Sequence, residues 1–339
     1  MSRYNVAIVG VTGMVGQAFI KILQERKFPV KGWKLLASSR SADKKIHIAG
    51  RDYTIEEARP DSFAGVDFAF FSAGGDVSQQ LAPEAVRRGA IVVDNSSAFR
   101  MDPEVPLVVP EVNAGAVSSH KGIIANPNCS TIQLVVALQP LHLAAGLKRV
   151  VAATYQSVSG AGKEAVDELA AQSLAVLSKK EIVKEYIPYK GAGRHHQIAF
   201  NMVPHIDIFE EDDYTKEEMK LIRETRKIMG LPDLPLTATT VRVPVFNGHS
   251  EAVNVELNNP FSPQEAREVL ARAPGVVVWD NPSDLLYPMP VDTEGRDEVF
   301  VGRIRYDRSV PHGLNLWIVA DNIRKGAATN SIQIAELLI

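Results

Sequence analysis

Short unbroken apolar runs alternate with helical patterns along the first third of this chain, and their order predicts its architecture. Tyr4 to Val9 reads as a buried strand, followed by Gly10-Val-Thr-Gly-Met-Val-Gly16 and a helical pattern to about Arg26. Trp33 to Ala37 is a second apolar run. Phe68 to Ser72 and Ile91 to Asp94 read as further strands, with a helix over Ser78 to Arg88 between them. Leu107 to Val109 and Ile123 to Ala125 are expected to complete a mostly parallel sheet.

The pattern changes after about Gly146. Arg149 to Ser157 is a long β-rich run, and Gly162 to Lys180 reads as an amphipathic helix. Tyr214 to Met229 is another helix, with Thr215 as its cap and Glu217 and Glu218 in its first turn. Strands over Leu236 to Phe246 and Ser250 to Leu257, a helix after Ser262, and strands over Val276 to Trp279 and Val299 to Tyr306 follow. Long strands interleaved with helices predict an α+β domain. A strand over Leu314 to Asp321 and a helix from about Ala327 are expected to return to the first domain. The expected division is therefore 1–128 plus 321–339 for one domain and 129–320 for the other.

The opening strand, glycine turn, helix and strand are the start of a dinucleotide-binding fold. Gly10, Gly13 and Gly16 would allow a tight turn and the close approach of a pyrophosphate, whose charge lies on the helix N-terminus. The spacing is G-x-x-G-x-x-G rather than G-x-G-x-x-G, so a turn with no nucleotide stays open at this point. The end of the second strand carries Ala37-Ser38-Ser39-Arg40-Ser41 in place of the acidic residue that binds a ribose 2′-hydroxyl. Hydroxyls and an arginine suit a 2′-phosphate and favour NADP, the alternative being an exposed polar loop.

Composition narrows the class. At 37.0 kDa the chain exceeds one usual core, consistent with two domains. A net charge of −3 argues against nucleic acid or an anionic membrane as partner. The apolar start holds three glycines, which suits a turn better than a signal core. The run from Leu134 to Ala145 is broken by Gln139, Pro140 and His142. A soluble cytoplasmic protein is expected, and one cysteine excludes an intrachain disulfide.

That cysteine sits in Ala125-Asn-Pro-Asn-Cys-Ser-Thr-Ile-Gln133, between two apolar runs. Asn126-Pro127 marks a turn, and Asn128 and Ser130 are good helix N-caps, so Cys129 falls in the first turn of a helix. Unpaired N–H groups there favour a thiolate nucleophile. The other reading of a lone cysteine is a small buried hydrophobe. A nucleophile of this kind needs a base, which histidine supplies best near neutral pH. His249 is the choice among eight histidines. Asn247-Gly248 predicts a two-residue hairpin placing His249 and Arg242 on one face, roughly 13 Å apart at about 3.3 Å per residue. Pro244 leaves that register provisional. His195-His196 lacks metal-ligand spacing, and no metal is expected. Glu217 and Lys220, three apart on a helix, read most simply as a solvated ion pair. Arg100 either grips a phosphate or coats the surface.

At these residues the chain resembles the aspartate-β-semialdehyde dehydrogenases of the bacterial branch, over essentially its whole length. The stretches that carry the resemblance are Gly10 to Gly16, Ser38 to Ser41, Asn126 to Gln133, Tyr155-Gln-Ser-Val-Ser-Gly-Ala-Gly162, Ile198 to Asn201, Arg242 to Val245, Gly248-His-Ser250, Val319 to Asn322 and Arg324 to Ala327. The resemblance implies an α/β protein with an N-terminal Rossmann-type NADP-binding domain and an α+β catalytic and dimerisation domain. It implies Cys129 as the acyl-forming nucleophile, His249 as acid/base and Gln156 as an orienting residue. Arg242 would bind the substrate carboxylate, Glu217 its ammonium, and Arg100 and Lys220, with Asn128, its phosphate. Gly10, Thr12, Gly13, Met14, Val15, Gly16, Ser38, Arg40, Ser41, Ser159, Gly160, Gly162 and Asn322 would contact NADP. The implied reaction reduces L-aspartyl-4-phosphate to the semialdehyde with NADPH, in the pathway to lysine, methionine, threonine and isoleucine, in a homodimer. The rivals are an N-acetyl-glutamyl-phosphate reductase and a non-catalytic NADP-binding paralogue.

Overall fold

The computed structural model describes residues 3–210 and 212–339. They form two compact units: the residues up to Asn128 together with Ala327–Ile339, and Cys129–Gly326.

The first unit runs β1 (Tyr4–Val9), α1 (Met14–Glu25), β2 (Val30–Ala37), β3 (Lys45–Ile48), β4 (Arg51–Glu57), β5 (Phe68–Phe71), α2 (Gly75–Arg87), β6 (Ile91–Asp94), the one-turn helix α3 (Pro110–Asn113) and β7 (Ile123–Ala125). The strands form one sheet in the order β3-β4-β2-β1-β5-β6-β7. Every ladder is parallel except β3 with β4. The inner strand β1 is buried on both faces, which is why Val6-Ala-Ile-Val9 reads as unbroken apolar sequence. Val6 and Ile8 pack with Phe19, Ile22 and Leu23 of α1 and with Ile332, Ile334 and Ala335 of the C-terminal helix Thr329–Glu336. Ala7 and Val9 pack on the other side with Phe71, Leu81 and Ala85.

Four points differ from the sequence pattern here. β2 starts at Val30 and α2 at Gly75, both earlier than their apolar patterns suggest. The β3–β4 hairpin had no apolar run to announce it, because only Ile48 and Ile55 in it are fully buried hydrophobics. Leu107 to Val109 is not a strand: Leu107 makes a single parallel bridge to Ala125. Pro106 lacks an N–H for the ladder, and Pro110 starts α3 at the position where proline suits a helix.

The second unit runs α4 (Cys129–Ala145), β8 (Leu147–Gln156), α5 (Lys163–Leu177), α6 (Lys216–Met229), β9 (Leu236–Arg242), β10 (His249–Leu257), α7 (Pro263–Arg272), β11 (Val276–Val278), the one-turn helix α8 (Pro290–Thr293), β12 (Val299–Asp307) and β13 (Gly313–Ala320). Its sheet order is β11-β12-β13-β10-β8-β9. Helix α4 is apolar on all sides and accordingly buried, packed on α6, α7 and the sheet. Thr215 caps α6 through a capping box with Glu218.

The expected β9–β10 hairpin does not form. β8 lies between the two strands, parallel to β9 and antiparallel to β10. Pro244 cannot continue a ladder, so β9 ends at Arg242 and the chain turns off through Val245, whose carbonyl takes the Val158 N–H at 2.9 Å. The segment 321–326 falls in the second unit, and Ala327 onward in the first.

Candidate active site

Cys129 is the first residue of α4 and is half-buried. The start of a 17-residue helix presents N–H groups and a positive dipole end to its side chain. Gly326 passes directly over it: a Cβ at that glycine would lie 2.9 Å from the Cys129 Cβ. Only a residue without a side chain lets the backbone approach so closely.

Strand ends deliver the other polar groups. Gln156 ends β8 and Arg242 ends the parallel strand β9, paired in register. His249 begins β10, whose ladder to β8 starts one residue on, at Ser250 with Tyr155. With β8 between them, Arg242 and His249 stand on the two flanks of one strand and turn toward a common point. A Cβ on Gly160 would lie 3.1 Å from Arg242 Nη1 and 3.2 Å from His249 Nε2. The hairpin separation of roughly 13 Å is therefore wrong, because it assumed the two strands were neighbours.

Each group is held. The Arg242 guanidinium is buried and donates from Nη1 to the Ser157 carbonyl at 2.7 Å, while its Nε finds no acceptor. Burial lowers its pKa; the negative charges of Glu217 and Cys129 act the other way, which places both within electrostatic reach. The Glu217 side chain is buried, accepting from Gln156 Nε2 at 3.2 Å through Oε1 and from Lys220 Nζ at 3.1 Å through Oε2. Lys220 also reaches Asp207 Oδ2 at 2.7 Å. The Glu217–Lys220 pair is thus not the solvated surface pair of the simplest reading.

His249 is fully buried, and its Nδ1 receives the backbone N–H of Ser157 at 3.2 Å. An N–H pointing at Nδ1 fixes the neutral tautomer with the proton on Nε2. That Nε2 is buried with no partner, so its N–H faces the site. Burial first, and then the Arg242 charge, pull its pKa down to about 3, opposed by Glu217 and a Gly248 backbone hydrogen bond. Ser159 and Asn322 lie beside this histidine, with Asn322 Nδ2 donating to Ser159 Oγ at 3.0 Å. Gly162 follows at φ +101°. Asp207, which holds Lys220, carried no pattern of its own in the sequence, and Ser157, which holds His249, stood only as one member of the Tyr155 to Gly162 stretch.

In the first unit, Gly10 adopts φ +83° and a Cβ on it would collide with the Ser72 carbonyl; one on Gly16 would collide with the Gly10 carbonyl. Gly13 is the N-cap of α1 and no side chain caps that helix, so the first N–H groups, from Met14 and Val15 onward, are left to an anion. This open cradle fits a pyrophosphate. Thr12 is exposed on the same turn. Ser38, Arg40 and Ser41 lie on a short turn at the carboxyl end of β2, with Ser38 and Arg40 exposed. Arg100 is buried, its Nε donating to the Asn126 carbonyl at 2.9 Å and its Nη2 to that of Asn95 at 2.7 Å; Asn128 is buried at the end of the unit. Among the described residues no group of His, Cys, Asp and Glu is arranged to hold a metal, and no helix is long and apolar enough to cross a membrane.

The chain matches two family models, described as semialdehyde dehydrogenase, NAD binding domain, over residues 5–120 and semialdehyde dehydrogenase, dimerisation domain, over 138–325. It is 55% identical over 335 residues to the aspartate-semialdehyde dehydrogenase of Bacillus subtilis, covering 98% of this chain and 97% of that one. It is 57% identical over 340 residues to that of Aquifex aeolicus, covering 99% and 98%. The structure of aspartate semialdehyde dehydrogenase II complexed with ASA from Vibrio cholerae superposes with a TM-score of 0.94 at 46% identity, covering 100% of this chain and 98% of that chain. A glycine cradle in one unit, a cysteine at a helix start in the other, and likeness along both lead to one conclusion: the chain belongs to the aspartate-semialdehyde dehydrogenase family.

Proposed function

We propose that the protein reduces L-aspartyl-4-phosphate to L-aspartate 4-semialdehyde with NADPH, through a thioester on Cys129. The observation that carries this reading is the charge pattern of the second unit. A buried arginine with an unused Nε and a buried glutamate, itself paired with a lysine, act on a histidine whose Nε2 is unpartnered. A substrate with a carboxylate, an ammonium and a phosphoryl group asks for a cation, an anion and cations respectively. Arg242 answers the carboxylate, Glu217 the ammonium, and Lys220, with Arg100 and Asn128, the phosphate. An acylated amine carries no charge for Glu217 to meet, which disfavours an N-acetylated substrate.

The Cys129 thiolate attacks the acyl carbonyl, forming the C–S bond as the C–O bond to phosphate breaks. Gln156 orients the acyl group, and the N–H groups at the start of α4 stabilise the oxyanion; removing such a donor elsewhere costs roughly 3–4 kcal/mol. The Gly10–Gly16 turn would hold the pyrophosphate, and Ser38, Arg40 and Ser41 the 2′-phosphate, with Ser159, Gly160, Gly162 and Asn322 as further contacts. When bound, NADPH supplies the hydride that reduces the thioester. His249, as acid/base, shares its Nε2 proton with the hemithioacetal oxygen and keeps it as the carbonyl re-forms, and breaking the C–S bond regenerates the thiolate with no net proton consumed. The pathway that goes with this reading is amino-acid biosynthesis toward lysine, methionine, threonine and isoleucine.

The test is phosphate-dependent NADP reduction with aspartate semialdehyde, run beside the N-acetylglutamate semialdehyde. Turnover with the first only is expected. Cys129→Ala should abolish it while NADPH binding stays within about twofold. Turnover that survives the substitution excludes the thioester route.

A further inference from the structure

Three buried polar side chains lie where the C-terminal helix Thr329–Glu336 meets the carboxyl ends of β6 and β7, and the proposed reaction uses none of them. They are Asn126, Asn330 and Ser331, and with Asn95 they close a ring. Asn330 Nδ2 donates to Asn126 Oδ1 at 2.7 Å, and Asn126 Nδ2 donates to Asn95 Oδ1 at 2.8 Å. Asn95 Nδ2 then donates at 3.0 Å to the hydroxyl of Ser331, the next residue after Asn330. The direction round the ring is fixed. Asn330 Nδ2 also donates to the Val108 carbonyl at 3.0 Å, so that atom must be the amide nitrogen, and the Asn126 atom facing it must be the oxygen. Ser331 gives its own proton to the Ala327 carbonyl at 3.0 Å and can only accept from Asn95.

The backbone of the same two asparagines holds Arg100. Its Nε donates to the Asn126 carbonyl at 2.9 Å and its Nη2 to the Asn95 carbonyl at 2.7 Å. A guanidinium is planar, so two nitrogens held on two fixed carbonyls set the plane of the whole group. The two carbonyls belong to segments that leave neighbouring parallel strands, and the ring of side chains ties those segments together. Packing alone does not require it. Replacing both partners of a buried hydrogen bond by apolar groups of the same shape can be nearly neutral, so the helix could meet the sheet through aliphatic side chains at similar stability. Aliphatic side chains could not hold two backbone carbonyls at a set separation.

We propose that Asn330 and Ser331 are positioning residues for the phosphoryl end of the substrate: from the C-terminal helix they lock Asn126 and Asn95, whose carbonyls aim the Arg100 guanidinium. They act through Arg100. Every member of the device belongs to the first unit. The inference rests on the proposed role of Arg100 in holding phosphate.

The experiment follows phosphate-dependent NADP reduction by the full chain, with inorganic phosphate varied at saturating aspartate semialdehyde and dinucleotide. Asn330→Ala removes the donor to Asn126 Oδ1. The KM for phosphate is expected to rise roughly tenfold, as for loss of a buried hydrogen bond, with the KM for aspartate semialdehyde within about twofold. Ser331→Ala is the milder variant, expected to raise the phosphate KM about fivefold, and Ser331→Thr, which keeps the hydroxyl, should restore it to within about twofold. Arg100→Ala is measured beside them. In the double variant of Arg100→Ala and Asn330→Ala, the second change should add less than about twofold, because a residue acting through Arg100 then has nothing to aim. Thermal unfolding shows which variants are folded, and the Ser331 pair carries the comparison if Asn330→Ala is not. Fully additive losses in the double variant, or equal rises in both KM values, overturn the inference. So does an unmoved phosphate KM in folded Asn330→Ala beside a raised one in Arg100→Ala, a result that leaves the proposed reaction standing. A phosphate KM unmoved in Arg100→Ala removes that arginine from the proposed site, and the inference with it.

Discussion

Glu251 lies two residues beyond His249 on β10, wholly buried, and neither of its oxygens has a hydrogen bond of normal geometry. Alternate residues of a strand share a face, so the carboxyl sits in the layer behind the histidine. Burial raises its pKa well above 4.5, with the Gln133 side chain only partly opposing. The fold therefore keeps a proton that the unfolded chain gives up above 4.5, and this contribution is whole below that value and lost as pH rises toward the folded pKa. Glu251→Gln removes the loss, and we expect a melting temperature several degrees higher at pH 8 with little change at pH 4.5, measured by calorimetry. Equal shifts at both values would show the carboxyl to be ionised in the fold. His249 runs the other way. Its pKa falls from 6.5 to about 3, so the unfolded chain takes up a proton that the native ring refuses. That stabilisation is whole above 6.5 and lost as pH falls toward 3. Relative to His249→Gln, the wild-type protein should lose about 2 kcal/mol between pH 7.5 and 5 in urea unfolding. A constant difference across that range would mean the buried ring titrates normally.

Elements whose signals are local were legible, and those set by distant pairing were not. Thr215 and Glu218 cap α6 within four residues, so the helix that carries Glu217 and Lys220 could be placed from sequence. The glycine turn before α1 was legible for the same reason. Asn247-Gly248 is an equally local hairpin signal, yet β8, some ninety residues earlier in the chain, takes the place beside β10 that the hairpin would have given β9. No pattern inside 236–257 records that insertion, and it is what brings Arg242 and His249 together. The Ser157–Asn322 contact spans 165 positions and is invisible for the same reason. The end of β2 shows what a local signal can support. Ser38, Arg40 and Ser41 follow directly on that strand, where an acidic residue would otherwise meet the ribose. Arg40→Ala removes the cation offered to a 2′-phosphate. NADPH binding is expected to weaken roughly tenfold or more while NADH binding stays within about twofold, read by fluorescence titration. An unchanged preference would leave NADP without support from this loop.

Within the second unit, large apolar side chains are exposed at Leu174, Leu177, Val183, Phe200, Met202 and Phe209, and again at Leu285, Leu286, Met289 and Val291. Scattered exposed leucines are ordinary, but the first group, six within 36 positions, is the kind of surface that a partner covers. The same residues lie inside the span matched by the dimerisation domain, 138–325. They flank a packed cluster of Val158, Leu169, Ile187, Ile198 and Val203, so the surface rests on a firm base rather than a loose loop. The net charge of −3 is small enough that two copies do not repel strongly. We therefore expect a homodimer, with sedimentation at micromolar concentration giving twice 37.0 kDa. Leu177, on the last turn of α5 and largely exposed, is the place to test it. A carboxylate there would have to be desolvated on association, at a cost of several kcal/mol, yet in the monomer it meets only water. Leu177→Asp should shift the mass toward 37.0 kDa without loss of helical circular dichroism. A variant that remains fully dimeric would move the contact away from α5, and a wild-type protein sedimenting at 37.0 kDa would remove the reason for a dimer altogether.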